Sequence, residues 1–206
     1  MESRESFAAG GRKGVPKRGE NDLRNDDASK CYLYVSTNVR SLRMPERLVF
    51  IGLGSNLGDC RGHLGRARKA LEGHGLKVIL QSSLYLTEPV EVIDQDEFIN
   101  QVVGCETGLP PENVLEVCLA IEKSMGRLRT RNRGPRVIDL DLLLSGDDIR
   151  SGDALVVPHP RMHLRRFVLE PLAEISPGAW HPVLRRTAAE ILSTCPDRSR
   201  VERVLL

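Results

Sequence analysis

VIDLDLLL, residues 137–144, is an apolar run interrupted only by Asp139 and Asp141. Such a run predicts a β-strand, and side chains alternate between the two faces of a strand. The two aspartates therefore share one face, with their Cα atoms about 6.6 Å apart. The opposite face is predicted to carry Ile138, Leu140, Leu142 and Leu144. One face of this strand thus suits a protein core, and the other carries two neighbouring carboxylates.

Hydrophobic periodicity predicts five further elements upstream of this strand. They are a strand at 48–53, a helix containing Leu64, Ala67 and Leu71, strands at 78–86 and 98–107, and a helix from Pro110 to about Gly126. The order βαββαβ predicts an α+β fold with a ferredoxin-like core, in which an antiparallel sheet carries both helices on one face. Beyond Ser145 we expect a helical C-terminal extension, with a helix around 188–192.

Composition excludes several classes of protein. Of the 206 residues 40% are hydrophobic, and the formal net charge is only +2 although 28% of the residues are charged. This small charge gives no basic field for binding nucleic acid or membranes, and no apolar run reaches the roughly 18 residues of a membrane span. Five cysteines without a CxxC pair favour reduced thiols, so we predict a cytoplasmic location.

Residues 1–43 differ from the rest of the chain. They mix glycine, proline and both signs of charge without apolar periodicity, a composition typical of disorder. The first apolar strand follows Met44 closely. We therefore expect residues 1–43 to be a disordered extension, Met44 to be the working initiator and residues 44–206 to form a single domain.

A run rich in arginine precedes the strand with the two aspartates. It contains Arg127, Arg129, Arg131, Arg133 and Arg136. Guanidinium groups match phosphate oxygens, and paired carboxylates suit Mg²⁺, which also binds phosphates and water. Taken alone, the aspartates fit a solvated sheet face equally well, and the arginines fit a solvated or RNA-contacting loop. Their adjacency favours a site that holds a nucleotide polyphosphate together with its magnesium.

Two shorter patterns are less specific. Residues 52–58, GLGSNLG, fail the GxGxxG dinucleotide pattern by one position, and the chain contains no GxxxxGK[ST] phosphate loop. This segment is therefore either a tight strand-to-helix turn or a direct substrate contact. His159 lies between two prolines and is either a donor to a phosphate or a surface histidine without a role.

Four motifs, in order along the chain, carry a resemblance to a known family. They are residues 54–57 (GSNL); Ser82, Ser83, Tyr85 and Thr87 with Phe98 and Asn100; Gly126, Arg127 and Arg129 with Gly134, Pro135, Arg136, Asp139 and Asp141; and residues 157–160 (VPHP). From about Leu48 to its end, the chain resembles the 6-hydroxymethyl-7,8-dihydropterin pyrophosphokinases of folate biosynthesis. The third motif is highly specific to that family.

The resemblance implies a transferase that moves the β,γ-pyrophosphoryl group of ATP to the hydroxymethyl oxygen of the pterin and releases AMP. Two Mg²⁺ ions would be bound by Asp139 and Asp141. The catalytic residues would be Arg127, Arg129, Arg136, His159 and Arg165. ATP would be bound by Glu122, Arg127, Arg136 and His159. The pterin would contact Thr87, Val90, Phe98, Asn100 and Phe167.

The chain also departs from its relatives. Arg133 stands where many family members carry tryptophan just before the Gly-Pro-Arg motif, so a tryptophan clamp is not expected. Some relatives are fused to dihydroneopterin aldolase or dihydropteroate synthase. Here we expect no fused domain and no obligate protein partner, nucleic acid or membrane, but only the two small-molecule substrates.

Two other functions fit part of the pattern. A polymerase-like or nucleotidyltransferase palm also places aspartates beside arginines on such a sheet, but it would need a further metal carboxylate and a basic nucleic-acid groove. A non-catalytic RNA-binding module shares the βαββαβ order. Only 4% of the residues are aromatic, and the strands carry no aromatic cluster for stacking bases, which argues against this second alternative.

Overall fold

A six-stranded antiparallel sheet forms the centre of the described residues, 46–89, 95–127 and 134–204 of this computed structural model. Its strands are β1 (Arg47–Ser55), β2 (Lys77–Gln81), β3 (Tyr85–Thr87), β4 (Phe98–Thr107), β5 (Asp139–Ser145) and β10 (Val201–Arg203). The order across the sheet is β10, β3, β4, β1, β5, and β2 pairs with β4. The predicted combination of helices with an antiparallel sheet is confirmed. The predicted extension at 1–43 lies outside the described residues.

Four α-helices, a 3₁₀ helix (Met162–Leu164) and two small hairpins complete the described part of the chain. The α-helices are α1 (Cys60–Gly73), α2 (Pro111–Ser124), α3 (Arg166–Ile175) and α4 (Ala188–Ser193). The short strands β6 (Arg150–Ser151) and β7 (Val156–Val157) pair with each other, as do β8 (Trp180–His181) and β9 (Arg186–Thr187). Among these helices none is both long and apolar enough to cross a membrane.

Helices α1 and α2 cover one face of the sheet. The residues of these helices buried in the core cluster on this face are Leu64, Ala67, Leu71, Val114, Cys118 and Ile121. They pack with strand residues such as Ile51 and Val103, which have no exposed surface. The helical spacing of apolar residues in the sequence is therefore the spacing of the two buried helix faces.

Helix α3 packs on the opposite face of the sheet. Its Val168 and Leu172 form a second cluster with Phe50, Val102 and Leu143. This packing leaves the end of the face near Asp139 and Asp141 uncovered by the cluster.

The predicted strand at 78–86 is wrong as a single element, because the structure divides it into β2 and β3. Both strands pair with β4, and the chain leaves the ladder between them at Ser82. The Ser82 hydroxyl accepts a hydrogen bond from the Val102 N–H at 3.0 Å, and the Ser82 carbonyl accepts one from the Gln101 side chain at 2.7 Å. The backbone Ser82 N–H still donates to the Val102 carbonyl at 3.0 Å, so side chains replace only part of the ladder at this point.

The predicted face of Leu144 is also wrong. Ile138, Leu140 and Leu142 belong to the cluster under α1 and α2, whereas Leu144 belongs to the cluster under α3. The β1–β5 register shifts between Phe50 and Ile51, which pair with Leu144 and Leu142. A β-bulge of this kind inserts one unpaired residue, so alternation resumes on the other face.

Glu174 of α3 binds residues at one edge of the sheet. At this edge strand β10, which the sequence did not predict, pairs with β3. The Glu174 carboxylate accepts hydrogen bonds from the Ser83 N–H at 2.9 Å, the Ser83 hydroxyl at 2.7 Å and the Tyr85 hydroxyl at 3.0 Å. It also pairs with Arg203 of β10 at 3.1 Å. One side chain therefore joins α3, the segment before β3 and the C-terminal strand.

We expect Glu174→Gln to lower the free energy of unfolding at neutral pH by about 1–3 kcal/mol, since a charged acceptor of several hydrogen bonds is lost. Burial alone would raise the pKa of Glu174, but hydrogen bonds from Ser83 and Tyr85 and the charge of Arg203 bring it below its usual 4.5. Stability from an acid with a lowered pKa is present above the unfolded value and disappears as the pH falls through the folded one. Thermal unfolding should therefore separate the two proteins at neutral pH and no longer in acid. A difference that persists unchanged in acid would contradict this account.

Candidate active site

A cavity of about 240 Å³ opens on the α3 face of the sheet. Strands β1, β4 and β5 form its floor, and α3 and the segments before β5 and after β7 form its walls. Ten of the residues predicted for the site line it: Thr87, Phe98, Asn100, Arg127, Arg136, Asp139, Asp141, His159, Arg165 and Phe167. The structure therefore gathers into one cavity residues that are spread over about 80 positions of the sequence.

Asp139 is the centre of an ion-pair network in this cavity. Its Oδ1 accepts a hydrogen bond from Arg127 and its Oδ2 accepts one from Arg136. In the β1–β5 ladder Asp139 lies opposite Gly54, and Asp141 lies opposite Gly52. Two positions without side chains thus flank the carboxylates and leave room above the strand.

Asp141 lies in an environment that disfavours its charge. Burial and the neighbouring charge of Asp139 raise the pKa of Asp141 to about 6, against the opposing charge of Arg165. A divalent cation removes the repulsion between two such carboxylates. Within the described ranges no group of three or more His, Cys, Asp or Glu side chains is placed to hold a metal ion. Two carboxylates alone suit Mg²⁺ that is also bound by phosphate and water.

Glu122 lies behind Arg127 and is not among the described residues that line the cavity. It is only 2% exposed. Its Oε1 accepts hydrogen bonds from the Leu140 N–H at 2.8 Å and from the Arg127 guanidinium. The carboxylate thereby connects α2, β5 and Arg127, and it orients the guanidinium toward Asp139. Its predicted place near the nucleotide stays a prediction.

His159 is held in one orientation by its loop. Its backbone N–H donates to the Leu143 carbonyl at 2.9 Å. Its ring Nδ1 accepts a hydrogen bond from the backbone N–H of Arg161 at 3.2 Å. Burial, followed by the charges of Arg165 and Arg161, lowers the pKa of His159 to about 4, so the ring is neutral at physiological pH. Because Nδ1 accepts, the proton lies on Nε2. The ring can therefore donate one hydrogen bond from Nε2.

Asn100 and Thr87 form a polar pair on the floor of the cavity. The Asn100 amide donates to the Thr87 hydroxyl at 2.7 Å, and both side chains are buried. This bond occupies one of the two amide hydrogens. The Asn100 carbonyl oxygen lies beside Gly54 of β1.

Two aromatic rings line the cavity next to its arginines. The Arg136 Cζ lies 5.8 Å from the centre of the Phe98 ring, and the Arg165 Cζ lies 5.5 Å from that of Phe167. Guanidinium groups are attracted to ring faces at such distances. The cavity thus combines flat apolar surfaces with cations and carboxylates, which suits a ligand with a planar ring and a polyanion.

Similarity to known proteins identifies the family of this chain. The sequence matches the family model for 7,8-dihydro-6-hydroxymethylpterin-pyrophosphokinase (HPPK) over residues 50–177. A Methylorubrum extorquens protein named 2-amino-4-hydroxy-6-hydroxymethyldihydropteridine pyrophosphokinase is 43% identical over 156 residues, which cover 75% of this chain and 97% of that protein. The chain belongs to the HPPK family. A Bacillus subtilis protein of the same name is 43% identical over 129 residues, 62% of this chain and 77% of that protein.

Other HPPK relatives are longer proteins. The folic acid synthesis protein fol1 of Schizosaccharomyces pombe is 37% identical over 153 residues, which cover 74% of this chain but only 21% of that protein. A Plasmodium falciparum HPPK-DHPS crystal structure with pteroate has a TM-score of 0.61 at 16% identity, covering 72% of this chain and 44% of that one. At this identity the likeness shows a shared fold.

The resemblance to HPPK inferred from the four motifs is confirmed, and with it the reading of the chain as a folate-pathway transferase. The individual residue roles stay predictions. Val90, Arg129 and Arg133 lie outside the described residues. Arg161 and Gln95 line the cavity although nothing in their sequence context marks them, because only the folded loops bring them there.

Gly54 is required by the close approach of β1 to Asn100. A Cβ at Gly54 would lie 2.7 Å from the Asn100 Oδ1, whereas a Cβ at Gly52 would meet only Leu143, at an ordinary 3.6 Å. We expect Gly54→Ala to displace the buried Asn100 side chain and to raise the KM for the pterin about 10-fold or more. Steady-state kinetics measure this, with Gly73→Ala as the control, because a Cβ at the exposed Gly73 of α1 would meet nothing within 4 Å and Gly73 does not line the cavity. Equal kinetics for the two variants would contradict the predicted contact between Asn100 and the pterin.

Proposed function

We propose that this HPPK-family protein transfers the β,γ-pyrophosphoryl group of ATP to the hydroxymethyl oxygen of 6-hydroxymethyl-7,8-dihydropterin. The oxygen forms a bond to the β-phosphorus, and the bond from that phosphorus to the oxygen bridging the α-phosphate breaks. AMP leaves with the electron pair, and the hydroxyl proton passes to solvent. The observation that carries the proposal is the contact of Arg127 and Arg136 with Asp139 in a cavity that Phe98 also lines.

Mg²⁺ is the cofactor we propose, as two ions held by Asp139 and Asp141. The donor set fits this metal, because both side chains offer hard oxygen ligands on one strand face. Burial, followed by the charge of Asp139, raises the pKa of Asp141, and a bound cation would favour its ionised form. When bound, Mg²⁺ would neutralise phosphate charge and help align the β-phosphorus for in-line attack.

Arg127 and Arg136 would exchange partners when ATP binds. In the structure both guanidinium groups pair with Asp139. A triphosphate offers them oxygens of higher charge, and their transfer to phosphate would free Asp139 for the metal. Charge would thus be neutralised throughout binding, and most of the catalysis would consist of positioning and electrostatic stabilisation.

His159 and Arg165 would also contact the phosphates. The neutral His159 ring has its Nδ1 occupied by the Arg161 N–H, which leaves Nε2–H to donate to a phosphate oxygen. Arg165 supplies a positive charge that already acts on both His159 and Asp141. A neutral donor with a fixed tautomer keeps its role across the physiological pH range.

The pterin would lie between Phe98 and Phe167. Both rings line the cavity, and aromatic faces bind planar heterocycles through stacking. Asn100 retains one amide hydrogen beyond its bond to Thr87 and would bind the polar edge of the ring. From the family resemblance, Val90 would also contact the pterin, and Arg129 would also contact the triphosphate.

We also propose a ferredoxin-like core. The strand order β5, β1, β4, β3 with α1 and α2 packed on one face supports it.

Product analysis tests the proposed reaction. We expect AMP to form from ATP only when both hydroxymethyl-dihydropterin and Mg²⁺ are present, together with a pterin diphosphate. A nucleotidyltransferase would instead release pyrophosphate, and an RNA-binding module would leave ATP intact. Absence of pterin-dependent AMP would refute the proposal.

A further inference from the structure

Asn56 directly follows β1, and both its backbone and its side chain form hydrogen bonds with the backbone of Arg136. Its N–H donates to the Arg136 carbonyl at 3.2 Å, and its side-chain Oδ1 accepts from the Arg136 N–H at 2.8 Å. The side-chain amide thus takes the place of a backbone carbonyl. It continues the β1–β5 pairing beyond Gly54 and Asp139, the last pair of the ladder.

The other end of the same amide holds a second segment. Asn56 Nδ2 donates to the Gln95 Oε1 and to the Asp96 carbonyl, each at 3.3 Å. Two residues later Phe98 begins β4 and lines the cavity. A single side chain therefore joins the segment that carries Arg136 to the segment that leads into Phe98.

The burial of Asn56 raises the free-energy cost of losing these hydrogen bonds. Asn56 is only 3% exposed, so a lost partner would not be replaced freely by water. Its oxygen and its amide hydrogens all point at partners in the two segments, and no other side chain of this length offers both an acceptor and two donors. Asn56 itself lies outside the set of described residues that line the cavity, so it acts on a ligand through its neighbours.

We propose that Asn56 is a positioning residue, which fixes Arg136 against Asp139 at the phosphate end of the site and ties it to the segment entering Phe98 at the pterin end. The inference rests on the proposed function. A change at Asn56 would displace Arg136, and small displacements of a charged group that binds the reacting phosphates reduce the rate strongly.

A double-mutant cycle with Arg136 separates positioning from general structural damage. We expect Asn56→Ala to lower kcat/KM for ATP by about 10- to 100-fold in the wild-type background. In the Arg136→Ala background the same change should cost less than about 3-fold, because its target is already absent. Damage unrelated to Arg136 would reduce activity by the same factor in both backgrounds, and that outcome would overturn the inference.

Asn56→Asp is the second variant. It separates the contact with Arg136 from the contacts with Gln95 and Asp96. Aspartate keeps an oxygen for the Arg136 N–H but has no donor for Gln95 and the Asp96 carbonyl. We therefore expect KM for the pterin to rise more than KM for ATP, whereas Asn56→Ala should raise both. If Asn56→Ala does not fold, this split still tests the inference, and a larger rise for ATP in the aspartate variant would refute it.

Ser145→Ala is the matched control for loss of a buried hydrogen bond. Ser145 is 1% exposed, lies at the opposite end of β5 and donates to Asp148 at 2.9 Å. It should lower thermal stability without changing kcat or either KM. If the wild-type protein forms no pterin-dependent AMP, the proposed function fails and the inference falls with it. If AMP forms and the losses in the cycle multiply, only the inference about Asn56 fails.

Discussion

Asp141→Asn is expected to lower pterin-dependent AMP formation by about 1000-fold while the protein stays folded. Asparagine keeps the shape of the side chain but removes the charge that would hold Mg²⁺. The remaining Asp139 also has two arginines as competing partners. Initial rates at saturating ATP and a range of Mg²⁺ concentrations measure the effect, and extra Mg²⁺ should restore little of it.

The control for this variant is Asp147→Asn. Asp147 is an exposed aspartate in the turn after β5, so its replacement should leave the rate unchanged. If Asp141→Asn keeps more than about a tenth of the wild-type rate, its loss is under about 1.4 kcal/mol of transition-state stabilisation, too little for a metal ligand.

Stability should move in the opposite direction to activity in Asp141→Asn. Burial and the charge of Asp139 raise the pKa of Asp141, so ionised Asp141 opposes folding when no cation is bound. Without Mg²⁺ the variant should therefore unfold at the same temperature as the wild type or higher at neutral pH. A loss of activity with unchanged or increased stability identifies a functional carboxylate and not a structural one.

The part of the site that follows from strand alternation could be predicted from the sequence. Asp139 and Asp141 share a face because they are two residues apart on β5, and Phe98 and Asn100 share a face of β4 for the same reason. The two helices with regular apolar spacing could be predicted equally well from the sequence. In each case a local period decides which way a side chain points.

The remaining features depend on contacts between distant segments. The bulge that moves Leu144 to the other cluster is a property of the β1–β5 pair. Glu174 meets Ser83 only because α3 packs across the sheet, and Asn56 meets Arg136 across 80 positions of the sequence. No local sequence pattern indicates these contacts. Residues that position other residues were therefore harder to predict than the charged residues that they support.

Arg127→Met is expected to reduce activity and stability together. The guanidinium would bind phosphate, so we expect kcat/KM for ATP to fall about 100-fold or more. In the structure the same group pairs with Glu122, which is 2% exposed. Removing it leaves a buried carboxylate with only part of its compensation, which we expect to lower the free energy of unfolding by up to about 3 kcal/mol. Kinetics and denaturant unfolding of one preparation measure both effects.

Two further variants separate the effects on activity and stability. Glu122→Gln added to Arg127→Met removes the stranded charge but keeps an acceptor for the Leu140 N–H, so it should restore much of the stability and none of the activity. Arg136→Met should lose activity with little loss of stability, because its partner Asp139 is partly exposed and keeps Arg127. If the double variant regains activity along with stability, Arg127 acts by supporting the fold and has no direct part in binding phosphate. If activity stays lost while stability returns, the Arg127 guanidinium is needed for the reaction itself.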